Sequence, residues 1–274
     1  MATRSVIIPK KEYPFFEDIL VTHPWFGGFA VQQKRRCYLS LHLNFLADKR
    51  YAEYKPLEIS SASHINTGVG LSAMSLKKYT SQLGKSVILE SAFQSSRIYI
   101  RDDGTTIGPF HHLIDLQGRE CKKEVKVLSE GFHSYSYEFD GMRLPAPAFH
   151  ISLFYDWLYL NALCEYENCS IRDDLLSGGF NAFTDIATKS LNSQARSCAI
   201  YVSLNRLGLI DQVQNIYDYF KLFRVNPESE NYEYSNSWQN VQELKGNSYT
   251  PLHTPVPQRV NENEVKEYFL KHCR

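Results

Sequence analysis

The sequence predicts an α+β domain, predominantly helical, with a few short strands mainly in its first half. Three observations carry that prediction. Apolar residues recur at helical spacing over several long segments, the strand-like runs are short, and strands and helices do not alternate as in a doubly wound parallel sheet. The chain has 274 residues, 30 basic and 30 acidic side chains, and 43% hydrophobic residues. A chain of this length and composition buries a sizeable core, which excludes whole-chain disorder and collagenous, coiled-coil or disulfide-scaffold classes. Zero formal charge disfavours coating nucleic acid by bulk electrostatics, but not a local basic patch aimed at one nucleotide.

The elements follow in order. Residues 1–57 hold nine Lys/Arg against five Asp/Glu, densest at Lys34-Arg35-Arg36. That cluster suits a solvated first turn or a phosphate contact. It opens a helix over Gln33–Lys49, with Leu39, Leu43 and Leu46 at helical intervals. Residues 57–63 read as a short strand entering a serine-rich turn, and Gly68 and Gly70 punctuate the loop beyond. Leu71–Leu76 and Ser86–Leu89 read as strands joined by a polar turn over Lys77–Lys85. Glu90–Ile100 reads as a helix, broken by Gly104, Gly108 and Pro109. A helix over Lys122–Leu128 and a strand over Phe132–Phe139 follow.

Phe149–Leu163, apolar nearly all round, is expected to be the central buried helix. Gly178-Gly179 ends the next element. Ala195, Cys198, Ala199 and Val202 mark a helix stopped by Gly208. Asp211 is expected to cap another, with Val213, Ile216, Tyr217 and Phe220 on its buried face. Residues 1–225 are thus expected to form one domain. Residues 226–274 form an irregular accessory tail, with a terminal helix at Glu262–His272.

No run of about 18 apolar residues exists for a membrane span, and the N-terminus does not read as a leader. The six cysteines (37, 121, 164, 169, 198, 273) lack Cys-x-x-Cys or zinc spacing, so free thiols in a cytoplasmic protein are expected. Gly68-x-Gly70 lacks the third glycine of a dinucleotide fingerprint, and Walker, HExxH and GxSxG motifs are absent.

Three segments place polar groups where a core pattern would not want them: Glu58–Ser63, Leu89–Arg97, and Phe183–Ile186 with Lys189–Arg196. In the second, Glu90, Gln94 and Arg97 fall on one helical face. Taken alone, Glu90 also suits a first-turn acid, Asp185 a turn residue, Ser190, Asn192 and Ser193 helix caps, and Tyr155 and Trp157 core packing.

These segments resemble the NADAR family, and within it the branch encoded as antitoxins beside DarT-type toxins, which ADP-ribosylate DNA. The likeness runs over about residues 1–224: Met1–Arg4, Gly28–Lys34, LEISSAS (57–63), LSAMSL (71–76), LESAFQSSRIY (89–99), FYDWLYLNAL (154–163), AFTDI (182–186) and KSLNSQARS (189–197). The resemblance implies an α+β, mostly helical domain with an ADP-ribose pocket. It also implies hydrolysis of the N-glycosidic bond joining ADP-ribose to a guanine amino group in DNA. No cofactor or metal is implied. Glu90 matches the essential acid at the family's helix start, Asp185 a second acid late in the domain, and Ser72 the serine of a Phe-Ser-Asn-Phe segment. A family tryptophan has no clean counterpart at Trp157.

The chemistry of the residues is compatible. Positive charge develops at the anomeric carbon, so one carboxylate can stabilise it or activate water while another acid protonates the departing amine. Glu90 and Asp185 are the expected pair. Ser60, Ser61, Arg97, Lys189 and the helix start near Gln194 are expected diphosphate donors, with Ser63, Ser72, Gln94 and Asn192 completing the polar set. Tyr155 or Trp157 is the expected wall for a base. The chain departs from the pattern at Ala62, where a lysine is expected. It is then an impaired natural variant or a substitution that traps ligand, and the otherwise intact motifs favour the second. Two further readings follow: a non-catalytic module binding the toxin or ADP-ribosylated DNA, or an N-glycosidase for a small ribosylated metabolite.

Overall fold

The computed structural model describes residues 1–28, 30–144, 151–187 and 193–223. They contain eight α-helices and ten strands, and the α+β class holds. The described residues divide into two compact units, one from Met1–Leu71 with Asp173–Asp211, the other from Ser72–Arg172 with 212–223.

The first unit opens with a hairpin that the basic, mixed N-terminal sequence did not advertise. Strands β1 (Ala2–Pro9) and β2 (Phe16–His23) pair antiparallel from Ala2 opposite His23 to Pro9 opposite Phe16. Helix α1 (Val31–Leu46) covers one face of it. Val6, Ile8, Ile19 and Val21 pack there with Tyr38, Leu41 and Phe45, which recur at helical spacing. Each such fully buried large apolar side chain contributes roughly 1.5–3 kcal/mol. Ile7 points the other way by the strand period, yet is buried too, because α7 (Gln194–Arg206) packs on β1. The sheet order is β2-β1-β10-β3, with β10 (Ala182–Thr184) antiparallel to β1 and parallel to β3 (Pro56–Glu58). Helix α2 (Asn66–Gly70) follows the serine-rich turn.

In the second unit, β4 (Lys77–Thr80) and β5 (Lys85–Ile88) form a hairpin. Helix α3 (Leu89–Ser95) runs directly into β6 (Arg97–Ile100), which lies between β7 (Thr106–Ile107) and β8 (His133–Phe139), with β9 (Met142–Arg143) at the edge. Helix α4 (Gly118–Leu128) packs against α3. Helix α5 (Ile151–Cys164) is the apolar one, with Phe154, Leu158, Tyr159 and Leu163 fully buried. Phe154 stacks on Tyr137, 4.4 Å between centroids, and Tyr137 on Phe93 at 5.7 Å. The chain then passes through α6 (Cys169–Ser177) and ends its described course in α8 (Ile216–Leu222).

Four expectations need correction. Leu71–Leu76 is a turn, not a strand: Ser75 and Leu76 donate their amides to the Ser72 carbonyl, and the Ser72 hydroxyl accepts from the Met74 amide. The strand falls instead on Lys77–Thr80, inside the expected polar turn. The Glu90–Ile100 helix stops at Ser95, where Ile98 and Tyr99 are buried as strand residues beside β8. Finally, Asn215, not Asp211, caps the last helix, its side-chain oxygen accepting from the Tyr217 amide at 2.8 Å; Tyr217 is exposed and Tyr219 takes the buried position. The five described cysteines are free thiols. The expected terminal helix, Lys189 and Asn192 lie outside the described residues.

Candidate functional site

In the first unit the parallel pairing of β3 and β10 sets Glu58 opposite Thr184, one residue before Asp185. The Thr184 hydroxyl donates to Glu58 Oε2 at 2.6 Å, and the Ile186 amide donates to the same carboxyl at 3.1 and 3.3 Å. His42 Nε2 of α1 lies 2.9 Å from the Thr184 hydroxyl oxygen. Thr184 gives its one proton to Glu58, so in this arrangement His42 is the donor at that contact. Glu58 is buried. Burial, and then the like charge of Asp185, push its carboxyl up to about 8, against the pull of the Thr184, Ile186 and Ser60 bonds.

Asp185 itself is buried, and its Oδ2 accepts from Gln194 Nε2 at 3.1 Å across the start of α7. Ser193 precedes that helix without a side-chain cap bond.

The turn after β3 is knit by its own serines. Ser60 Oγ accepts from the Ala62 amide at 3.2 Å, and Ser63 Oγ from the Ile65 amide at 3.2 Å. Ser61 is exposed, whereas Ala62 is buried and its carbonyl accepts from Arg35 Nε at 3.0 Å. Arg35, part of the basic cluster, thus holds the backbone at the position where the sequence reading expects lysine. His64 joins the same turn to α1, its amide donating to the Tyr38 hydroxyl at 3.0 Å and its Nδ1 in contact with that hydroxyl.

In the second unit Glu90 lies in the first turn of α3, buried, and its amide bonds to the Ala73 carbonyl at 2.9 Å. Oε1 accepts from Gln94 Nε2 at 3.0 Å and faces Lys122 Nζ of α4 at 3.5 Å. The backbone of α4 comes close enough here that a Cβ on Gly118 would stand 2.8 Å from Glu90 Cβ. Arg97 continues the line, with NH1 3.4 Å from Gln94 Oε1, NH2 3.4 Å from Ser134 Oγ, and its guanidinium 4.7 Å from the Tyr99 ring centroid. The acid, amide and guanidinium expected on one face are thus linked in sequence, although Arg97 sits on a strand. Ser72 is buried in the turn before β4.

Tyr155 and Trp157 are packed in the core of this unit. Tyr155 meets Phe93 edge-on at 4.9 Å, and the Trp157 indole N–H is spent on the Val213 carbonyl at 2.9 Å. These contacts describe core residues.

Glu58 and Gly118 carry no role in the sequence reading. An acid flanked by Leu57 and Ile59 in so short a strand is the signal for the first; nothing in the sequence marks the second. Glu90 and Asp185 belong to different units. Among the described residues no group of three or more His, Cys, Asp or Glu side chains has a metal-holding arrangement, and no helix is long and apolar enough to cross a membrane.

A search among curated proteins finds no match to this chain. The family model described as DarT1-associated NADAR antitoxin matches residues 2–233. That match spans both units and all of the polar segments described above, and the chain therefore belongs to the DarT1-associated NADAR antitoxin family.

Proposed function

We propose that this antitoxin-family protein is a hydrolase that removes ADP-ribose from guanine bases of DNA by cleaving the N-glycosidic bond, and so reverses a DarT-type toxin. The observation that carries the reading is Glu90. It is a carboxylate withdrawn from solvent, oriented by Gln94 and Lys122 from two helices, rather than a free first-turn acid. A group held in this way is preorganised to face developing positive charge.

In the reaction, water adds to the anomeric carbon as the ribosyl–nitrogen bond breaks. The guanine amino nitrogen takes a proton, leaving unmodified DNA and free ADP-ribose. Glu90 stabilises the cationic carbon or takes the proton of the attacking water. Asp185, steadied by Gln194, is the second acid on which the chemistry draws. Arg97 and the serines after β3 are the proposed donors to the diphosphate.

The test is mass spectrometry of a guanine-ADP-ribosylated oligonucleotide after incubation with the protein. The expected products are the unmodified oligonucleotide and ADP-ribose; persistence of the adduct under saturating protein counts against hydrolysis. Ala62 favours a second reading. With lysine absent at that place, the chain would bind the modified nucleotide or the toxin without turnover, and would then retain the intact adduct.

A further inference from the structure

We propose that the open end of the β1–β2 hairpin and the start of α1 form a surface for single-stranded DNA, with Trp25 stacking on an unpaired base and Arg4, Lys34 and Arg36 meeting backbone phosphates. That the strand is DNA rests on the function proposed above; the surface rests on the residues of the first unit alone. From Met1 to Lys11 and from Ile19 to Ala47 the sequence holds no acid, in a chain whose formal charge is zero. The hairpin's own acids, Glu17 and Asp18, stand opposite Ile8 and Ile7, away from the end where Ala2 meets His23. Among the described residues Arg4, Lys34, Arg35 and Arg36 form no ion pair. Cations gathered without a carboxylate repel one another, and a polyanion relieves that repulsion.

Aromatic rings interleave with these cations. The Arg4 guanidinium lies 4.8 Å from the Trp25 ring centroid, and that of Arg36 lies 4.2 Å from the Phe26 centroid. Trp25 is nonetheless 41% exposed, so ring surface remains for a base. The loop carrying both rings is fastened to α1: the Phe26 amide donates to Cys37 Sγ at 3.2 Å, and the thiol donates to the Phe26 carbonyl at 3.3 Å. The platform is therefore ordered before a ligand arrives. Arg36 is exposed beside it, while its neighbour Arg35 is spent on the Ala62 carbonyl. Helix α1 thus joins this surface to the serine-rich turn whose hydroxyls are the proposed diphosphate donors. An exposed ring among unpaired cations suits a single strand, because a duplex hides its base faces.

The test is fluorescence anisotropy of a labelled, unmodified single-stranded oligodeoxynucleotide of about 12 residues with the full chain. Affinity should fall with salt at a log–log slope of about −2, the value for three phosphates on a single strand. Lys34→Gln together with Arg36→Gln should bring that slope to about −0.7. Trp25→Ala should weaken binding by about 5-fold or more at an unchanged slope, whereas Trp25→Phe, which keeps a ring, should retain most of the affinity. Absence of binding at about 100 μM protein in low salt overturns the proposal. So does a duplex of the same sequence bound as tightly, an RNA bound more tightly, a slope unmoved by the charge pair, or a Trp25→Ala protein as tight as its parent. The oligonucleotide is unmodified, so the result does not depend on turnover. Binding here with no release of ADP-ribose from modified DNA fails the hydrolase reading and keeps the surface; release without binding does the reverse.

Discussion

At the scale of single residues, Glu90 and Ala62 set the sharpest expectations. Glu90→Gln keeps an oxygen for the Gln94 amide and removes the charge facing Lys122, which is exposed. Its cost to stability should be about 0.3–1 kcal/mol, the usual worth of a first-turn acid. Its effect on release of ADP-ribose should be complete, read by mass spectrometry beside a melting curve shifted by no more than about 4 °C. A Glu90→Gln protein as fast as its parent removes the residue from the mechanism. Ala62 lies in a turn already closed by Ser60 and Arg35, so the chain holds its course there without a long side chain. Ala62→Lys should raise the hydrolysis rate by about 10²-fold or more, the lower range of acid–base or nucleophilic assistance. If the lysine forms an imine with the opened ribose, borohydride should trap a protein–sugar adduct in the variant and none in the parent. Equal rates on a substrate both proteins bind would take catalysis away from this position.

At the scale of elements, two glycines explain what the sequence pattern left open. Gly68, weak as part of a nucleotide fingerprint, is a packing glycine: a side chain there would strike the Glu58 carbonyl and the Ser63 hydroxyl, 2.5 Å away. Gly118 lets α4 close on α3 at Glu90, with Met74 Sδ 2.9 Å from where a Cβ would stand. Gly118→Ala should therefore displace the Glu90 carboxylate and lower the hydrolysis rate by roughly 10²-fold, as a misplacement of about 1 Å can. The overpacking should cost about 1–3 kcal/mol in denaturant titration. Wild-type rates in Gly118→Ala would mean that Glu90 tolerates being moved. Elements whose identity is fixed by their own periodicity were legible: α1, α5 and α7 stand within a few residues of where apolar spacing put them, while α4 begins four residues before the expected Lys122. Elements fixed by a distant partner were not. Nothing local marks Ala2–Pro9 as a strand; it becomes one because β2, β10 and α1 bury Val6, Ile7 and Ile8. Lys77–Thr80 likewise reads as a polar turn until β5 pairs with it. The candidate site divides in the same way. Asp185, Glu90 and Glu58 all stand as acids in apolar company, whereas the partners that hold Glu58, Thr184 and Ile186, lie more than a hundred residues along the chain.

For the whole molecule, two buried groups of opposite sign predict how stability follows pH. His23 is buried beside Arg4, and burial first, then that charge, lower its ring to about 4 from an ordinary value near 6.5. Between those values the unfolded chain binds its proton and the folded chain does not, so His23 makes stability rise with pH up to about 6.5. Glu58 does the reverse. Its folded value near 8 stands above the ordinary 4.5, so the folded chain holds a proton that the unfolded chain has released. Its contribution is complete below 4.5 and is lost as pH rises to about 8. From pH 4.5 to 6.5 the two slopes, each about 1.4 kcal/mol per pH unit, oppose one another, and these groups leave stability nearly flat. Above 6.5 only Glu58 still acts, and stability should fall by about 2 kcal/mol by pH 8. Urea titrations at half-unit steps from pH 4.5 to 8.5 should trace that plateau and decline. In Glu58→Gln the decline should vanish and the plateau become a rise of about 2 kcal/mol toward pH 6.5, since His23 is then unopposed. A Glu58→Gln protein that still loses stability between pH 6.5 and 8 would show that the proton released there comes from another group.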